Sequence, residues 1–518
     1  MRTDTNPPAR QAPQRQKPAD TNRDDGRMAT TMSSSSNITR LLITAAIVAG
    51  FALLTALLTP RGPITTGEAL ASMLLAGVVG VAIGLLMPSR WVILMAPAVF
   101  IGVFELGRLG AVGPTVDAIN LGSLYGIVAF VLGRVFHGVL VLVPMTLGAI
   151  YGIQWAGRLG QPVARMGRLA WTLTAVASIG LVALAALIAR PATTAAIMGE
   201  DGAELESGIA ELTTVEIGGH DQALMIRGRD TDNPVLLYLN GGPGGTDIGA
   251  VRQDVGLEQD FVVVTWEQRG AGKSYAELDP LETFTLDRFI SDTIELTDYL
   301  RERFNEDRIY LVGQSWGSTL GALAVDARPD LFHAFVGVGQ MVSQRETDRL
   351  FWEDALAWAQ DTGNTAIADS REGDGPPPYE DLNNYAGVIS YEHEWNAYPG
   401  LDLTHEMPGI LFVPEYTFMD RVNAFKGFLD TNATLYPQLQ HLDFRNDLTR
   451  LDVPYYMVLG EYEARGRAVL ADQWFDVLDA PGKERIVFEG SGHRANFDRP
   501  GEFAALMRRV LAETWDRP

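Results

Sequence analysis

The chain contains no cysteine among its 518 residues. That absence removes disulfide staples, thiolate metal sites and a cysteine nucleophile together, while leaving the cellular compartment open. Basic residues are also scarce, with 41 Lys and Arg against 64 Asp and Glu, but the shortage is confined to one part of the chain. Residues 1–190 hold 15 basic against 7 acidic residues, which leaves 26 against 57 for residues 191–518. So acidic a region repels phosphate backbones and argues against nucleic acid as a partner. The same charge keeps a globular domain soluble. No internal repeat is present, and no G-x-G-x-x-G dinucleotide fingerprint. Gly272-Lys273-Ser274 has the ending of a P-loop, but the glycine required five residues earlier is Glu267, so that reading fails.

What the first part does have is long apolar runs. Residues 1–38, rich in Pro, Gln, Arg, Asp, Thr and Ser, lack apolar periodicity and are expected to form a disordered cytoplasmic tail. Residues 39–190 then carry Leu41–Leu58, Ala69–Met87, Trp91–Val103, Gly138–Ala156 and Leu169–Ala189. Most are long enough to cross a bilayer core as helices of about 20 residues, so about five spans are predicted. A cleaved signal peptide would not be followed by four further runs. Arg2, Arg10, Arg15, Lys17, Arg23, Arg27 and Arg40 place the tail inside, and Arg90, Arg158, Arg165 and Arg168 fall on the same side. The opposite loops carry chiefly Arg61 and Arg108. Five spans then put everything after Arg190 on the extracytoplasmic side of a plasma membrane.

One stretch resists this scheme. Gly122–Ala156 is longer than one span needs and is interrupted by Arg134 and His137. An arginine at mid-bilayer costs about 2.5–3.5 kcal/mol, so Arg134 is placed near an interface, with Gly122–Gly133 as a short interfacial or re-entrant helix. The alternatives are an intramembrane polar site of Arg134 and His137 with Glu105 or Asp117, or a sixth span that would turn the C-terminal domain cytoplasmic.

Residues 191–211 read as a linker. From 212 to 518 the rhythm becomes strands alternating with helices, the signature of a mostly parallel α/β sheet. Val235–Leu239, Phe261–Trp266, Ile309–Val312, Phe335–Val338, Tyr455–Leu459 and Arg485–Phe488 are the expected strands. Leu286–Phe304 has helical apolar spacing at Phe289, Ile290, Ile294, Leu296, Tyr299 and Leu300. Between about 341 and 445 the alternation lapses, and a helical cap inserted over the sheet edge is expected there.

The chemistry-bearing residues follow these strands. Gly313-Gln314-Ser315-Trp316-Gly317 lies between a strand and a helix. A serine hydroxyl needs exposure and a neighbouring base to act as a nucleophile, and small residues two places to either side permit the sharp turn that exposes it. Val235–Leu239 runs into Asn240-Gly241-Gly242-Pro243-Gly244-Gly245, whose backbone N–H groups at Gly241 or Gly242, with that of Trp316, are placed to form an oxyanion hole. Arg269–Ser274 is expected to be a structural turn beside the site. The base and acid follow in the order serine, acid, histidine. His493 sits in the small-residue loop after the last strand, and Glu463, with Glu461 as the alternative, follows Tyr455–Leu459. Serine at 315 excludes an aspartyl nucleophile.

Taken together, Asn240-Gly-Gly-Pro-Gly-Gly, Glu267-Gln-Arg-Gly-Ala-Gly-Lys-Ser, Gly313-Gln-Ser-Trp-Gly-Ser-Thr-Leu and Ser491-Gly-His493 resemble the prolyl aminopeptidases (proline iminopeptidases) over roughly residues 213–340 and 446–515. The resemblance implies a cap-bearing α/β-hydrolase that needs neither metal nor cofactor and releases N-terminal residues, often proline, from a peptide or small acyl substrate. Asn240 stands where the family usually has His, Glu267 where it has Asp, and Glu463 where the acid is usually Asp. The family's cap carboxylates bind the substrate ammonium, and Trp352-Glu353 is the candidate for that role. An esterase or lipase on membrane-proximal substrates is the enzymatic alternative, and a non-catalytic membrane signalling or binding protein the other. The sequence leaves the oligomeric state open.

Overall fold

The computed structural model of the chain describes every residue except 2, 4–22, 118, 279–280, 380–381, 402–408 and 516–518. Arg2, Arg10, Arg15 and Lys17, which carried much of the inside charge, lie outside the described residues. Among the described residues, six α-helices precede the sheet: α1 (Arg23–Leu58), α2 (Thr66–Leu86), α3 (Trp91–Gly107), α4 (Leu124–Phe130), α5 (Phe136–Arg158) and α6 (Arg168–Ile188). Among the described residues, four helical stretches are long and apolar enough to cross a membrane, and Trp91–Gly107 is a shorter apolar one.

Two expectations are corrected here. Residues 23–38, read as disordered tail, belong to α1. A helix nucleated in the apolar run extends backwards cheaply, because each added residue gains a hydrogen bond without a new nucleus. Gly122–Gly133 is not a separate re-entrant piece. A π-helical turn, Val131–Val135, splices α4 to α5, and Leu124–Arg158 is one rod of 35 residues. At 1.5 Å per residue it spans about 52 Å, well beyond a hydrocarbon core of about 30 Å.

Arg134 is paid for by neighbours on that rod's flank. It pairs with Glu105 at 3.3 Å and donates to the carbonyls of Val116 and Asp117 at 3.0 and 2.9 Å. His137 stands apart from this cluster, buried with its ring 4.6 Å from that of Phe104. Arg134 and Glu105 therefore come together as one alternative had it, but His137 does not join them. Rods α2 and α5 meet through glycines: a Cβ on Gly80 would lie 2.1 Å from the Met145 carbonyl oxygen, and one on Gly148 2.2 Å from that of Gly77. Gly80 and Gly84 on one helix, and Gly148 and Gly152 on the other, form small-xxx-small steps that let backbones touch.

The second part is an eight-stranded sheet of β1 (Ile209–Ile217), β2 (His220–Gly228), β3 (Val235–Leu239), β4 (Val262–Glu267), β5 (Ile309–Gln314), β6 (Phe332–Val338), β7 (Tyr455–Gly460) and β8 (Lys483–Phe488). Their order is β1-β2-β4-β3-β5-β6-β7-β8, antiparallel at β1–β2 and β2–β4 and parallel from β4 onward. Every residue of β3, β4, β5 and β7 is buried, since helices cover both faces, and these strands therefore read as unbroken apolar runs. The helices α7 (Ile248–Gln253), α8 (Leu286–Phe304) and α9 (Trp316–Ala327) come before the cap. Among the described residues, six cap helices separate β6 from β7: α10 (Gln344–Asp361), α11 (Thr365–Asp374), α12 (Leu382–Ile389), α13 (Glu392–Trp395), α14 (Phe418–Leu439) and α15 (Phe444–Asp447). The chain closes with α16 (Arg465–Val477), α17 (Ala495–Asp498) and α18 (Pro500–Thr514).

The stretch read as a linker is stitched down. Arg227 donates to the hydroxyl of Thr194 and the carbonyl of Ala195, both at 2.6 Å, and β1 begins at Ile209, inside the expected linker. The two parts of the chain are joined more deeply at α14. Met419 packs with Ala69, Met73, Leu140 and Ile188. The buried Asp430 carboxylate accepts from Thr115 N at 3.0 Å, Thr115 Oγ1 at 2.6 Å and Tyr275 OH at 2.7 Å, and pairs with Arg61 at 3.4 Å. Lys426 Nζ donates to the Arg61 carbonyl at 3.0 Å.

Candidate active site

Ser315 sits between β5 and α9 with φ 54° and ψ −119°. A non-glycine residue at positive φ is strained, and the strain holds its side chain out from the turn. The flanking glycines are required by contact. A Cβ on Gly313 would lie 2.2 Å from the Gly317 oxygen, and one on Gly317 2.1 Å from the Leu239 oxygen. Ser315 Oγ lies 2.9 Å from His493 Nε2, and His493 Nδ1 lies 2.8 Å from Glu463 Oε2. The expected serine, histidine and glutamate are therefore brought together in one hydrogen-bonded row. Glu461 is not part of it; its carboxylate accepts from Gly490 N at 2.8 Å.

Glu463 has a partner that sequence reading missed. Arg467 Nε donates to Glu463 Oε1 at 2.6 Å, and both side chains are almost wholly buried. Burial by itself would push the Glu463 carboxyl up. The Arg467 charge, with His493, overcomes that and holds it at about 2. The acid is thus a fixed carboxylate at any ordinary pH, able to accept Nδ1–H and leave Nε2 as the acceptor facing the serine. Arg467 also pairs with Glu392. Its place four residues after Glu463, at the opening of α16, is the sequence signal that could have found it.

Trp316 opens α9, so its N–H has no partner within the helix. The glycine loop lies against it: a Cβ on Gly241 would be 3.4 Å from Ser315 Cβ. Gly241 N is 3.4 Å from Asp247 Oδ2, a long contact that a stronger acceptor would displace. Gly242 has φ 136°, and a Cβ on Gly244 would meet the Gly427 oxygen at 2.5 Å, so the loop is clamped beneath α14. Asn240 is turned away and donates to the Trp266 carbonyl at 2.8 Å. Glu267 takes the N–H of Lys273 and the hydroxyl of Tyr416, which ties down the Arg269–Ser274 turn as expected. Burial raises this carboxyl to about 7, against the opposing pull of those two donors.

A cavity of about 600 Å³ opens over Ser315 and His493. Trp352 and Glu353 do not line it, which corrects their expected role. Trp352 Nε1 donates to the Arg371 carbonyl at 2.9 Å, and Glu353 pairs with Arg349 and Arg465 on the outer face of α10. The periodicity of α10 was legible, but not which face turns inward. The cavity carboxylates are instead Asp247, Glu392 and Asp498, with Asp247 held by Arg494 at 2.6 Å. Leu124, Tyr125 and Val128 of α4 also line it. Among the described residues no cluster of His, Asp and Glu is arranged to hold a metal ion.

The family described as alpha/beta hydrolase fold matches residues 234–500, and the chain belongs to that family. Within it, the relatives are proline-iminopeptidase-like. A Bacillus subtilis (strain 168) protein named Probable aminopeptidase YbaC is 30% identical over 312 residues, covering 58% of this chain and 96% of its own. A Leptolyngbya boryana protein named Probable proline iminopeptidase is 30% identical over 156 residues, covering 30% of this chain and 45% of its own. The crystal structure of a Mycobacterium smegmatis proline iminopeptidase is 19% identical, with a TM-score of 0.44, covering 59% of this chain and 98% of that one.

Proposed function

We propose that this chain is a membrane-anchored serine hydrolase that releases N-terminal residues through an acyl-enzyme. One observation carries the reading: the row from Ser315 through His493 to Glu463, at 2.9 and 2.8 Å. In the proposed reaction His493 takes the Ser315 proton as Oγ attacks the carbonyl, and the Trp316 and Gly241 amides receive the oxyanion. The C–N bond breaks as His493 returns the proton to the leaving amine. Water, activated by the same imidazole, then cleaves the ester and frees Ser315. The substrate ammonium is assigned to Asp498, since Asp247 and Glu392 already pair with Arg494 and Arg467. The relatives named as a probable aminopeptidase and a probable proline iminopeptidase support this substrate class.

The apolar helices support anchoring, with the tail inside and the catalytic part extracytoplasmic. Reporter fusions after Arg40 and at Pro518 test that orientation, and a cytoplasmic C-terminal reporter would overturn it. For the chemistry, Ser315→Ala is expected to lower turnover roughly 10⁴–10⁶-fold and to abolish labelling by a fluorophosphonate probe. A variant that keeps most of its activity sinks the assignment. Proline p-nitroanilide, short acyl esters and N-blocked peptides separate an aminopeptidase from an esterase, since full activity on blocked peptides excludes the former.

A further inference from the structure

The cavity has two kinds of wall. One side is polar, with Asp498 beside the ion pairs Asp247–Arg494 and Glu392–Arg467, whereas Leu124, Tyr125 and Val128 of α4 and Phe425, Phe428 and Leu429 of α14 make an apolar side. Tyr125 and Phe428 close that side edge to face, with ring centroids 5.8 Å apart. This wall is built by the far end of a rod whose other end is long and apolar enough to cross a bilayer. Leu124 both lines the cavity and is 58% exposed, so it stands at the mouth. From there Ile127, Val131 and Val135, each more than 40% exposed, continue at helical spacing down the same rod. A soluble surface rarely shows so continuous an apolar stripe, whereas lipid covers one at no cost.

We infer that the substrate is a bilayer-partitioned amphiphile, an aminoacyl group joined through an amide to a long alkyl chain that lies against Leu124 and Val128 and leaves along the stripe. The inference rests on the aminopeptidase reading. In such a substrate the N-terminal residue is the acyl part, so the leaving amine is the part free to carry a chain. The bond made and the bond broken are those already given, and the leaving group departs as a neutral long-chain amine that takes its proton from His493.

The test uses the full chain in lipid nanodiscs and a pair of proline amides, one of butylamine and one of dodecylamine, with release of proline as the readout. Each methylene buried against the wall favours the longer amide about fourfold, so its kcat/KM is expected to exceed that of the shorter by at least about a hundredfold. Partitioning into the nanodisc also favours the longer amide, so the variants decide. Leu124→Asn and Val128→Asn are each expected to cut the long-to-short ratio about tenfold, and Val128→Ala by a smaller factor. A general loss of folded enzyme lowers both rates together and leaves the ratio in place. A wild-type ratio near one, or a ratio unmoved by all three variants, overturns the inference. Failure of both amides in a wild-type enzyme that Ser315-directed fluorophosphonate does not label would overturn the catalytic reading instead.

Discussion

Removing the guanidinium behind the triad acid should change the pH dependence of catalysis as well as its rate. In Arg467→Met the buried Glu463 keeps His493 but loses the cation 2.6 Å from Oε1. The gap between its present value of about 2 and the ordinary 4.5 corresponds to about 3 kcal/mol of carboxylate stabilisation, and Arg467 is the largest contributor opposing burial. Without it, burial is opposed by His493 and no longer by Arg467, so the carboxyl rises and Glu463 takes up a proton at a higher pH than in the wild type. A protonated Glu463 no longer fixes the Nδ1–H tautomer of His493. At pH 8 the loss in kcat/KM should be about 10–100-fold, short of the roughly 10⁴ seen when a triad acid's charge is removed outright. Below pH 6 the loss should deepen, and Arg467→Lys should recover part of it. The assay is p-nitroanilide hydrolysis by the full chain in detergent from pH 4.5 to 9. Damage to packing alone would lower the rate by one factor at every pH. A variant profile that superimposes on the wild type after scaling refutes the reasoning.

Three further outcomes are expected. Glu267, raised by burial to about 7, gives stability that is present below about 4.5 and lost as the pH rises through 7. Glu267→Gln should therefore gain about 3 kcal/mol on wild type between pH 5 and pH 8.5, read as the difference in Tm shifts, and equal shifts at both pH values would count against the raised carboxyl. Asp430→Ala leaves the buried Arg61 without its carboxylate and should cost about 3–5 kcal/mol, measured by thermal unfolding in detergent; a change under about 1 kcal/mol would show that the Arg61–Asp430 pair does not join the two parts of the chain. Gly148→Leu, whose Cβ would meet the Gly77 oxygen at 2.2 Å, should destabilise the helical part by about 3 kcal/mol or more, and an unchanged unfolding midpoint would show that α2 and α5 do not pack this way.

β3, β5 and β7, which lead into the glycine loop, Ser315 and the Glu463 loop, were legible because they are buried on both faces. Val235–Leu239 was read to the residue, and the serine turn and the His493 loop follow strands whose composition alone marks them. β1 and β2 were not among the expected strands: β1 lies at the sheet margin, where half-buried residues blur its pattern, and the apolar run of β2 is cut short by His220, Asp221, Gln222 and Arg227. The glycines of α2 and α5 were invisible as contacts, since apolar composition records what a helix avoids but not which side its neighbour takes. Tyr125 and Val128 were missed for a related reason. Arg134 suggested that the apolar run must break at an interface, whereas Glu105 and two backbone carbonyls let the helix pass straight through. Arg467 escaped notice because its worth lies in burial, which spacing does not report.

The double duty of α14 fixes what can move. Its Phe418–Met419 end is bolted to the helical part while its Gly427 carbonyl sits on the glycine loop, so this helix is a post and not a flap. The rest of the cap is held from another side: α10 is tied to α16 through Thr347 and Asp354, and α13 through the pair Glu392–Arg467. A fragment severed after Arg190 would keep the triad yet lose Leu124, Tyr125 and Val128 from the cavity and strand Asp430 and Lys426 at a bare surface. Such a fragment would be a damaged enzyme, not a trimmed one.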